Sequence, residues 1–320
     1  MTIQERINQT SNEYPEINWD SVSKHKPKSS VTFVIPVINS QRTIGLVLKA
    51  ISTQHLRNLI NEVIIVDNSD NDETKKAIDM FCETSDLKVI YRKNPENKHT
   101  AYSRNRGIEL ATGDVICFID SDIIIPPNYV NYHLYVHELF ENVITTSLRS
   151  NIELAEFSNR ENKFPVQEYL NEFRVLATVK RERCITDSQL KFAGKTVNLV
   201  KDTREFRDLG NGNSMFWTLS DMCLTCCVTY KAKILKELKG APENFVEYGC
   251  EDAAMAAKVI STGAFVIPIT MCGVYHIDHP RRYGENFRIG YERNIRRLEK
   301  LYTLPLEETC TYYVDNLDIE

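Results

Sequence analysis

Long apolar runs are missing from this 320-residue sequence. No stretch approaches the roughly 20 apolar residues that a membrane-spanning helix needs. The first residues are polar and do not form the apolar core of a secretion signal. We therefore expect a chain without a transmembrane segment that stays in the cytoplasm. Peripheral attachment to a membrane is the alternative.

An excess of positive charge is also missing. The 39 Lys and Arg residues are outnumbered by 44 Asp and Glu residues, so the formal net charge is -5. The basic residues are scattered along the chain, whereas nucleic-acid binding usually needs a concentrated basic surface. Nucleic acid is therefore not an expected partner, and the apolar content of 42% is typical of a globular protein.

The nine cysteines lack the spacing of a disulfide framework, and their number is odd. Reduced thiols in a cytoplasm fit this pattern. Cys223 and Cys226 form a CxxC pair beside Cys227, and a structural zinc that also uses Cys250 or Cys272 is the alternative. Because no second pair has zinc-site spacing and the neighbouring residues are apolar, we expect these cysteines to pack in the core.

Glycine-rich phosphate loops are absent as well. Residues 35–40, which follow the first apolar run, contain no glycine, and this excludes the dinucleotide-binding turn of dehydrogenases. No GxxxxGK[ST] segment is present either. If the protein binds phosphates, a metal ion and side chains must hold them instead of a backbone cradle.

What the first half does contain is a regular alternation of strand and helix patterns. Apolar runs typical of buried strands alternate with segments of helical periodicity. The order predicts a parallel sheet with right-handed crossovers, whose ligands bind beyond the carboxyl ends of the strands. The predicted strands are residues 31–37, 62–66, 87–91 and 115–119, and the predicted helices are residues 44–51, 72–81 and 100–111.

Two of these strands end in acidic residues. Asp67 and Asp70 follow the second strand, and Asp120-Ser121-Asp122 follows the fourth. Paired carboxylates at a strand tip suit a divalent cation that bridges phosphate oxygens. An ordinary turn is the alternative, because Asp and Ser are common in turns. Placement at the same predicted sheet edge favours the metal site.

The second half is less regular. Residues 150–215 are of mixed polarity, and we expect them to shape an acceptor site. Glu251 and Asp252 begin a predicted helix, where they could act as a general base or only as capping and dipole partners. His276 and His279 follow a strand-like segment in what reads as a short polar turn, and two histidines there favour metal binding over a structural role.

Four segments of the first half together resemble the inverting family 2 glycosyltransferases, which have the GT-A fold. The segments are residues 33–37, residues 66–69, residues 103–107 followed by 111–114, and residues 118–122. The resemblance implies an α/β protein with a Rossmann-like, mostly parallel sheet flanked by helices and a C-terminal acceptor-binding region. It is more specific than any one segment, because the order and spacing of all four agree.

The same resemblance assigns roles in donor binding. Asp67 is expected to contact the base or ribose, Asp120 and Asp122 to engage ribose and metal, and Arg104 to hold the nucleotide. A solvated surface salt bridge is the alternative for Arg104, but its Arg-Asn-x-Gly context favours the functional role. The expected donor-binding residues are Pro36, Asp67, Arg104, Asp120, Ser121 and Asp122.

Two segments of the second half also resemble known domains. Residues 248–252 are similar to the Trp-Gly-Gly-Glu-Asp segment of galactosyltransferase-like domains, which implies that Asp252 is the general base and Glu251 binds substrate hydroxyls. Residues 273–280 resemble the histidine loop of chondroitin-polymerase-like enzymes, which implies that His276 completes the metal site. The basic residues Arg281, Arg282 and Lys98 are either diphosphate partners or solvated charges.

The predicted activity is inverting transfer of a sugar, dependent on Mn²⁺ or Mg²⁺, from a nucleoside-diphosphate sugar of the uridine type to a glycan, peptide or small-molecule acceptor. An inactive sugar-nucleotide-binding partner protein and a sugar nucleotidyltransferase are the alternatives. The expected division is an N-terminal extension (1–29), a nucleotide-sugar-binding subdomain (30–147), a variable acceptor-shaping segment (148–215), a catalytic and acceptor subdomain (216–300) and a C-terminal tail (301–320).

Overall fold

The computed structural model of the chain describes residues 1–95, 98–155, 218–279 and 285–318. One eight-stranded mixed sheet organises these residues, in the order β3-β2-β1-β4-β7-β6-β8-β5. Most of the predicted acceptor-shaping segment, together with Arg281 and Arg282, lies outside the described residues. The strands are β1 Val31–Val37, β2 Ile60–Asp67, β3 Val89–Lys93, β4 Val115–Ile119, β5 Ile123–Ile124, β6 Val143–Ile152, β7 Cys227–Lys231 and β8 Phe265–Ile277.

Helices cover both faces of this sheet. Their bounds, numbered over the described residues, are α1 Ile3–Gln9, α2 Ile44–Ser52, α3 Glu73–Cys82, α4 Thr100–Leu110, α5 Tyr129–Leu139, α6 Ala232–Glu237, α7 Glu251–Ile260 and α8 Glu285–Tyr302. Alternate residues of β1 belong to two different core clusters, because Phe33 and Ile35 pack on one face and Val34 on the other. This two-sided burial explains the continuous apolar run of β1.

The strand-helix alternation predicted for the first half is confirmed. β1 pairs in parallel with both β2 and β4, and β2 pairs in parallel with β3. Observed and predicted element ends agree within about two residues, which is the usual uncertainty of such boundaries. Beyond β4 the sheet becomes mixed, because β7 is antiparallel to both β4 and β6.

The N-terminal extension (1–29) packs against the rest of the protein through its first helix. Helix α1 is held by a capping box between Thr2 and Glu5. It packs against α7 and α8 and buries Ile3 and Ile7 completely or nearly so. Burial of such side chains stabilises the fold by roughly 1.5–3 kcal/mol each. The side chain of Asn12 exchanges two hydrogen bonds with the backbone of Val266 in β8.

The C-terminal tail also packs against the protein. Its apolar side chains join the same core cluster as α7 and α8. Those side chains are Leu304, Leu306, Val314 and Leu317. Among the described residues, no helix combines the length and apolar character that crossing a bilayer requires.

The three cysteines of the CxxC region are buried as free thiols, as predicted. Cys227 begins β7 and pairs with Ile119, the last residue of β4. Cys226 lies 3.6 Å from it, sulfur to sulfur, and accepts from Arg149. In the part of the chain that the structure describes, no cysteine belongs to a group that could hold a metal ion.

Candidate active site

The carboxyl ends of β1, β2 and β4 meet at one edge of the sheet. Val37 lies beside Asp67 in the register of β1 and β2, and β4 ends at Ile119 just before Asp120. A parallel arrangement of these strands brings their tips together. The structure therefore gathers the acidic tips at one edge, as the sequence predicted.

Asp67 is completely buried at this edge, and both of its carboxylate oxygens are engaged. Oδ1 accepts from the backbone N–H of Ser69 at 2.7 Å, and Oδ2 accepts from the Tyr91 hydroxyl at 2.7 Å. Lys93 Nζ lies 3.5 Å from Oδ2. Burial and the Asp67 charge raise the pKa of Tyr91, which keeps the hydroxyl protonated. A direct contact of Asp67 with a nucleotide requires one of these partners to move, and it stays a prediction.

Pro36 lies in β1 opposite Val66 of β2, at a position where β1 has passed the end of its pairing with β4. A proline is tolerated there because its missing N–H interrupts no ladder bond to β4. The loop that follows contains Ser40, whose hydroxyl lies 2.7 Å from the Ser121 hydroxyl. Sequence reasoning missed Ser40, which ties the β1 tip to the Asp-Ser-Asp turn.

Arg104 is held inside the protein by the packing of α4. A Cβ at Gly107 would lie 2.2 Å from Val34, so only glycine allows α4 to approach β1 this closely. Arg104, one turn earlier, is 5% exposed, and the surface salt bridge considered as an alternative is therefore wrong. Its Nη1 donates to Glu251 Oε1 at 2.6 Å, and its Nη2 lies 3.6 Å from Asp120 Oδ1.

This arginine connects the two halves of the site. Burial alone would lower the pKa of the Arg104 guanidinium, but the charges of Glu251, Asp120 and Asp252 raise it above its usual value. Conversely, partial burial raises the pKa of Asp120 against the opposing charge of Arg104, and Asp122 raises it further. A permanent cation thus joins the Asp-Ser-Asp turn after β4 to the start of α7.

Asp122 faces two imidazole rings. Its Oδ2 lies 3.6 Å from His276 Nε2 and 3.4 Å from His279 Nε2. One ligand atom from each of the three residues lies within 4.8 Å of the others. Asp122 Oδ1 is buried and has no hydrogen-bond partner among the described residues. This donor set, with an orphaned carboxylate oxygen, fits a divalent cation.

Of the three predicted metal ligands, the structure brings Asp122 and His276 together and leaves Asp120 outside the group. The Asp120 carboxylate faces Arg104, and its side chain is 36% exposed. A metal-binding role for Asp120 remains a prediction. His279, which the sequence linked to metal binding only together with His276 and which was not among the predicted ligands, lies within the group.

The position of His276 follows from strand pairing. The sequence suggested a polar turn after residue 269, but this was wrong, because β8 continues to Ile277 between β6 and β5. Ile123, the first residue after the Asp-Ser-Asp turn, is the antiparallel partner of His276. Asn151 is its neighbour in β6, with Oδ1 3.1 Å from His276 Nδ1. An N–H on Nδ1 that donates to Asn151 leaves the Nε2 lone pair directed at the Asp122 side.

Glu251 and Asp252 are the first two residues of α7. The preceding Cys250 occupies the N-cap position with a positive φ of 69° and makes no side-chain cap bond. Glu251 is buried, and its Oε2 has no hydrogen-bond partner among the described residues. Asp252 Oδ1 accepts from its neighbour Ala253 N–H at 2.8 Å, which is not an N-cap bond. Capping therefore does not explain the pair.

The environment of Asp252 shifts its proton affinity. Burial, and then the adjacent Glu251 charge, raise the pKa of Asp252 to about 7, although Arg104 opposes this shift. A carboxylate with a pKa near neutrality can accept a proton from a hydroxyl group and is suited to general base catalysis.

An exposed aromatic surface lies just before α7. Tyr248 is 68% exposed, and its ring centroid lies 4.7 Å from that of Phe287 in α8. Gly249 follows with φ 88°, and a Cβ there would lie 2.9 Å from the Tyr291 ring. Glycine at this position therefore lets the chain turn sharply between Tyr248 and the acidic pair. Of the three basic residues predicted as possible diphosphate partners, the structure describes Lys98. Its Nζ lies 5.0 Å from the centroid of the Tyr102 ring.

Comparison with known proteins identifies the family. Residues 32–201 match the family model described as Glycosyl transferase family 2. This match covers just over half of the chain, and the chain belongs to that family. It ends before Glu251, so the likeness of residues 248–252 to galactosyltransferase-like domains stays a prediction.

Individual relatives agree with this assignment. The uncharacterized glycosyltransferase YfnE of Bacillus subtilis (strain 168) is 26% identical over 268 residues, which are 79% of this chain and 65% of that protein. The chain thus matches slightly less than two thirds of the length of this relative.

Solved structures show the same architecture. The mannosyltransferase PcManGT from Pyrobaculum calidifontis, in complex with GDP-Man and Mn²⁺, has a TM-score of 0.54 at 16% identity over 92% of this chain and 68% of that one. TarS of S. aureus in complex with UDP-GlcNAc has a TM-score of 0.54 at 16% identity over 88% of this chain and 69% of that one. At such identities the likeness concerns the fold, and the predicted GT-A fold is confirmed.

Proposed function

We propose that this member of glycosyl transferase family 2 is a metal-dependent, inverting glycosyltransferase. Its donor is a nucleoside-diphosphate sugar of the uridine type. Its acceptor is a glycan, a peptide or a small molecule with a free hydroxyl group. The observation that carries this proposal is the Arg104 bridge, which joins the start of α7 to the Asp-Ser-Asp turn. A base candidate and a metal-site candidate are thereby held at one sheet edge.

The protein groups divide into those that hold the donor and those that move a proton. Pro36, Asp67, Ser121 and Asp120 belong to the donor side, where Arg104 supplies fixed positive charge. Asp122 and His276 would hold the cation. A divalent ion bound there would neutralise the negative charge that develops on the leaving diphosphate.

Asp252 acts in this proposal as the general base. With a pKa of about 7, its carboxylate is ionised in a large fraction of molecules at neutral pH and still binds a proton well. It takes the proton from the acceptor hydroxyl while the acceptor oxygen attacks the anomeric carbon from the face opposite the leaving diphosphate. Inversion results from this single displacement, and no enzyme nucleophile is needed.

Glu251 has a different role because one of its oxygens is already bound by Arg104. Its other oxygen, Oε2, is buried without a partner among the described residues and is available to accept a hydrogen bond from a sugar hydroxyl. The alternative of an inactive sugar-nucleotide-binding partner requires no base. The raised pKa of Asp252 therefore favours the enzyme.

The experiment is a screen of nucleotide sugars for release of nucleoside diphosphate by the purified full chain. Each donor is incubated with Mn²⁺ or with a chelator, without acceptor, and the slow hydrolysis of the donor is followed. We expect release with at least one donor that stops in chelator. Release that is independent of metal contradicts the metal dependence, and binding without release under all conditions favours the inactive partner.

A further inference from the structure

We infer that His279 is a third protein ligand of the cation, so that the site holds its ion with one carboxylate and two imidazoles. This nitrogen-rich set would select transition-metal ions over Mg²⁺. The catalytic role of the ion rests on the proposed function, whereas the binding of the ion does not. The three ligands would be Asp122, His276 and His279.

The spacing of the ligand atoms supports a shared ion. Asp122 Oδ2 lies 3.6 Å from His276 Nε2 and 3.4 Å from His279 Nε2. Ligands bound about 2.1 Å from one ion lie roughly 3.0–3.5 Å apart at octahedral or tetrahedral angles. The observed separations are close to this range and longer than an ordinary hydrogen bond. A cation therefore fits these atoms better than a direct proton-mediated contact does.

The path of the chain brings the second histidine back to the site. In a continuous strand, residues 276 and 279 would point to opposite faces of the sheet. β8 ends at Ile277, whose N–H donates to the Asp122 carbonyl at 2.9 Å. The departure from the strand at this point places the His279 ring 5.7 Å from the His276 ring, at an interplanar angle of 75°. The rings are not stacked, and both nitrogens approach the same carboxylate oxygen.

A solvated surface ion pair is the simpler explanation for His279, whose side chain is 54% exposed. It does not account for the other two residues. Asp122 is 17% exposed, and its Oδ1 is buried without a partner among the described residues. His276 is nearly buried and oriented by Asn151 through its other ring nitrogen. An ion that binds the Asp122 carboxylate and both imidazoles explains the arrangement of all three residues.

The donor set predicts selectivity. Mg²⁺ prefers octahedral oxygen ligands and loses its water reluctantly, whereas imidazole suits later first-row ions. With two nitrogens and one carboxylate, we expect Co²⁺ to bind at least about tenfold more tightly than Mg²⁺, and the affinity for Mn²⁺, the weakest of the first-row series, to lie between the two. The sequence predicted either Mn²⁺ or Mg²⁺ as the cofactor. A nitrogen ligand from His279 would favour Mn²⁺ over Mg²⁺.

The test counts the nitrogens bound to the metal. The full chain is freed of metal by chelator and titrated with Mn²⁺ alone, and directly coupled ¹⁴N nuclei are counted by pulsed electron paramagnetic resonance. We expect two imidazole nitrogens in the wild type and one in His279→Ala, with metal affinity about 10- to 100-fold lower in the variant. His55→Ala, at an exposed histidine outside the group, serves as the matched control and should keep both nitrogens.

Three results would overturn the inference: a single coupled nitrogen in the wild type, unchanged Mn²⁺ affinity in His279→Ala, or Mg²⁺ binding as tight as Mn²⁺ binding. These outcomes are separate from the proposed function. Two coupled nitrogens in a chain that cleaves no nucleotide sugar would support the ligand set and contradict the transferase. Metal-dependent donor cleavage that His279→Ala retains, with unchanged Mn²⁺ affinity, would support the transferase and contradict His279 as a ligand.

Discussion

Asp120 and Asp122 are two residues apart, yet they face two regions that compensate negative charge by different means. The first region, here the arginine side, consists of Arg104, Asp120, Glu251 and Asp252. The second, here the histidine side, consists of Asp122, Asn151, His276 and His279. A fixed guanidinium balances the carboxylates of the arginine side, whereas the histidine side offers imidazole nitrogens to a carboxylate with an orphaned oxygen.

This difference separates two tasks. A permanent cation cannot leave, so the arginine side is preorganised, and the pKa of Asp252 is raised to about 7 there. In the proposed mechanism, the histidine side becomes complete only when an ion binds. If the proposed function is correct, mutations on the arginine side should change proton transfer at the acceptor, and mutations on the histidine side should change charge neutralisation at the diphosphate, each independently of the other.

The largest effect is expected on the arginine side, from Asp252→Asn. The amide keeps the shape of the carboxylate but accepts no proton, so turnover should fall by about two to four orders of magnitude while donor affinity is kept. Single-turnover transfer at saturating donor measures this once an acceptor is known, and slow donor hydrolysis serves until then.

Glu251→Gln is the matched control for Asp252→Asn. A larger loss of turnover in Glu251→Gln, with donor affinity intact, would move the base role to Glu251. Nearly unchanged activity in Asp252→Asn would leave Asp252 as a residue that only stabilises the start of α7.

The next effect concerns stability. Arg104→Met removes the cation and leaves Glu251 buried without its partner, which should lower the free energy of unfolding by about 3–5 kcal/mol. Arg57→Met, which breaks an exposed pair with Asp86, should cost less than about 1 kcal/mol. Urea unfolding compares the two variants, and equal losses would mean that Arg104 does not compensate buried charge.

The raised pKa of Asp252 on the arginine side also predicts that activity and stability depend on pH in opposite directions. Because the pKa of Asp252 is raised to about 7, activity should increase roughly tenfold per pH unit below 7 and then level off. The stability contribution of the same group is fully present below about pH 4 and is lost as pH rises through 7. In Asp252→Asn both dependences should disappear, and a wild-type rate that is flat from pH 5 to 8 would contradict the assignment.

The smallest effect is expected at the exposed ring of Tyr248. If the acceptor stacks on this ring beside the base, Tyr248→Ala should raise the acceptor KM by about 2- to 10-fold with little change in kcat, and Tyr248→Phe should not. Tyr313→Ala changes a similarly exposed tyrosine in the C-terminal segment and serves as the control. A Tyr248→Ala enzyme with unchanged acceptor KM would remove Tyr248 from the acceptor site.

The arginine side was more predictable from sequence than the histidine side. Asp120 follows an apolar strand, and Arg104 lies in a predicted helix within the Arg-Asn-x-Gly segment. These signals are local in sequence. The length of β8 depends on pairing with β6 and β5, which are distant in sequence, so the strand position of His276 and the return of His279 could not be derived from local pattern.

The N-terminal segment shows the same limitation. Ile3 and Ile7 stand four residues apart in polar surroundings, a pattern that resembles a solvated arm. Their burial depends on contacts with α7 and α8, about 250 residues later in the chain. The pairing of Asp122 with imidazoles and of Asp120 with Arg104 likewise depends on where distant elements lie.

Calorimetric binding of uridine diphosphate, with other nucleoside diphosphates in parallel, tests the central claim most directly. We predict that Mn²⁺ increases the affinity at least about tenfold over chelator in the wild type, and that Asp122→Ala abolishes this gain. Equal affinity in Mn²⁺ and in chelator, or a metal dependence that Asp122→Ala leaves unchanged, would contradict a metal-dependent transferase.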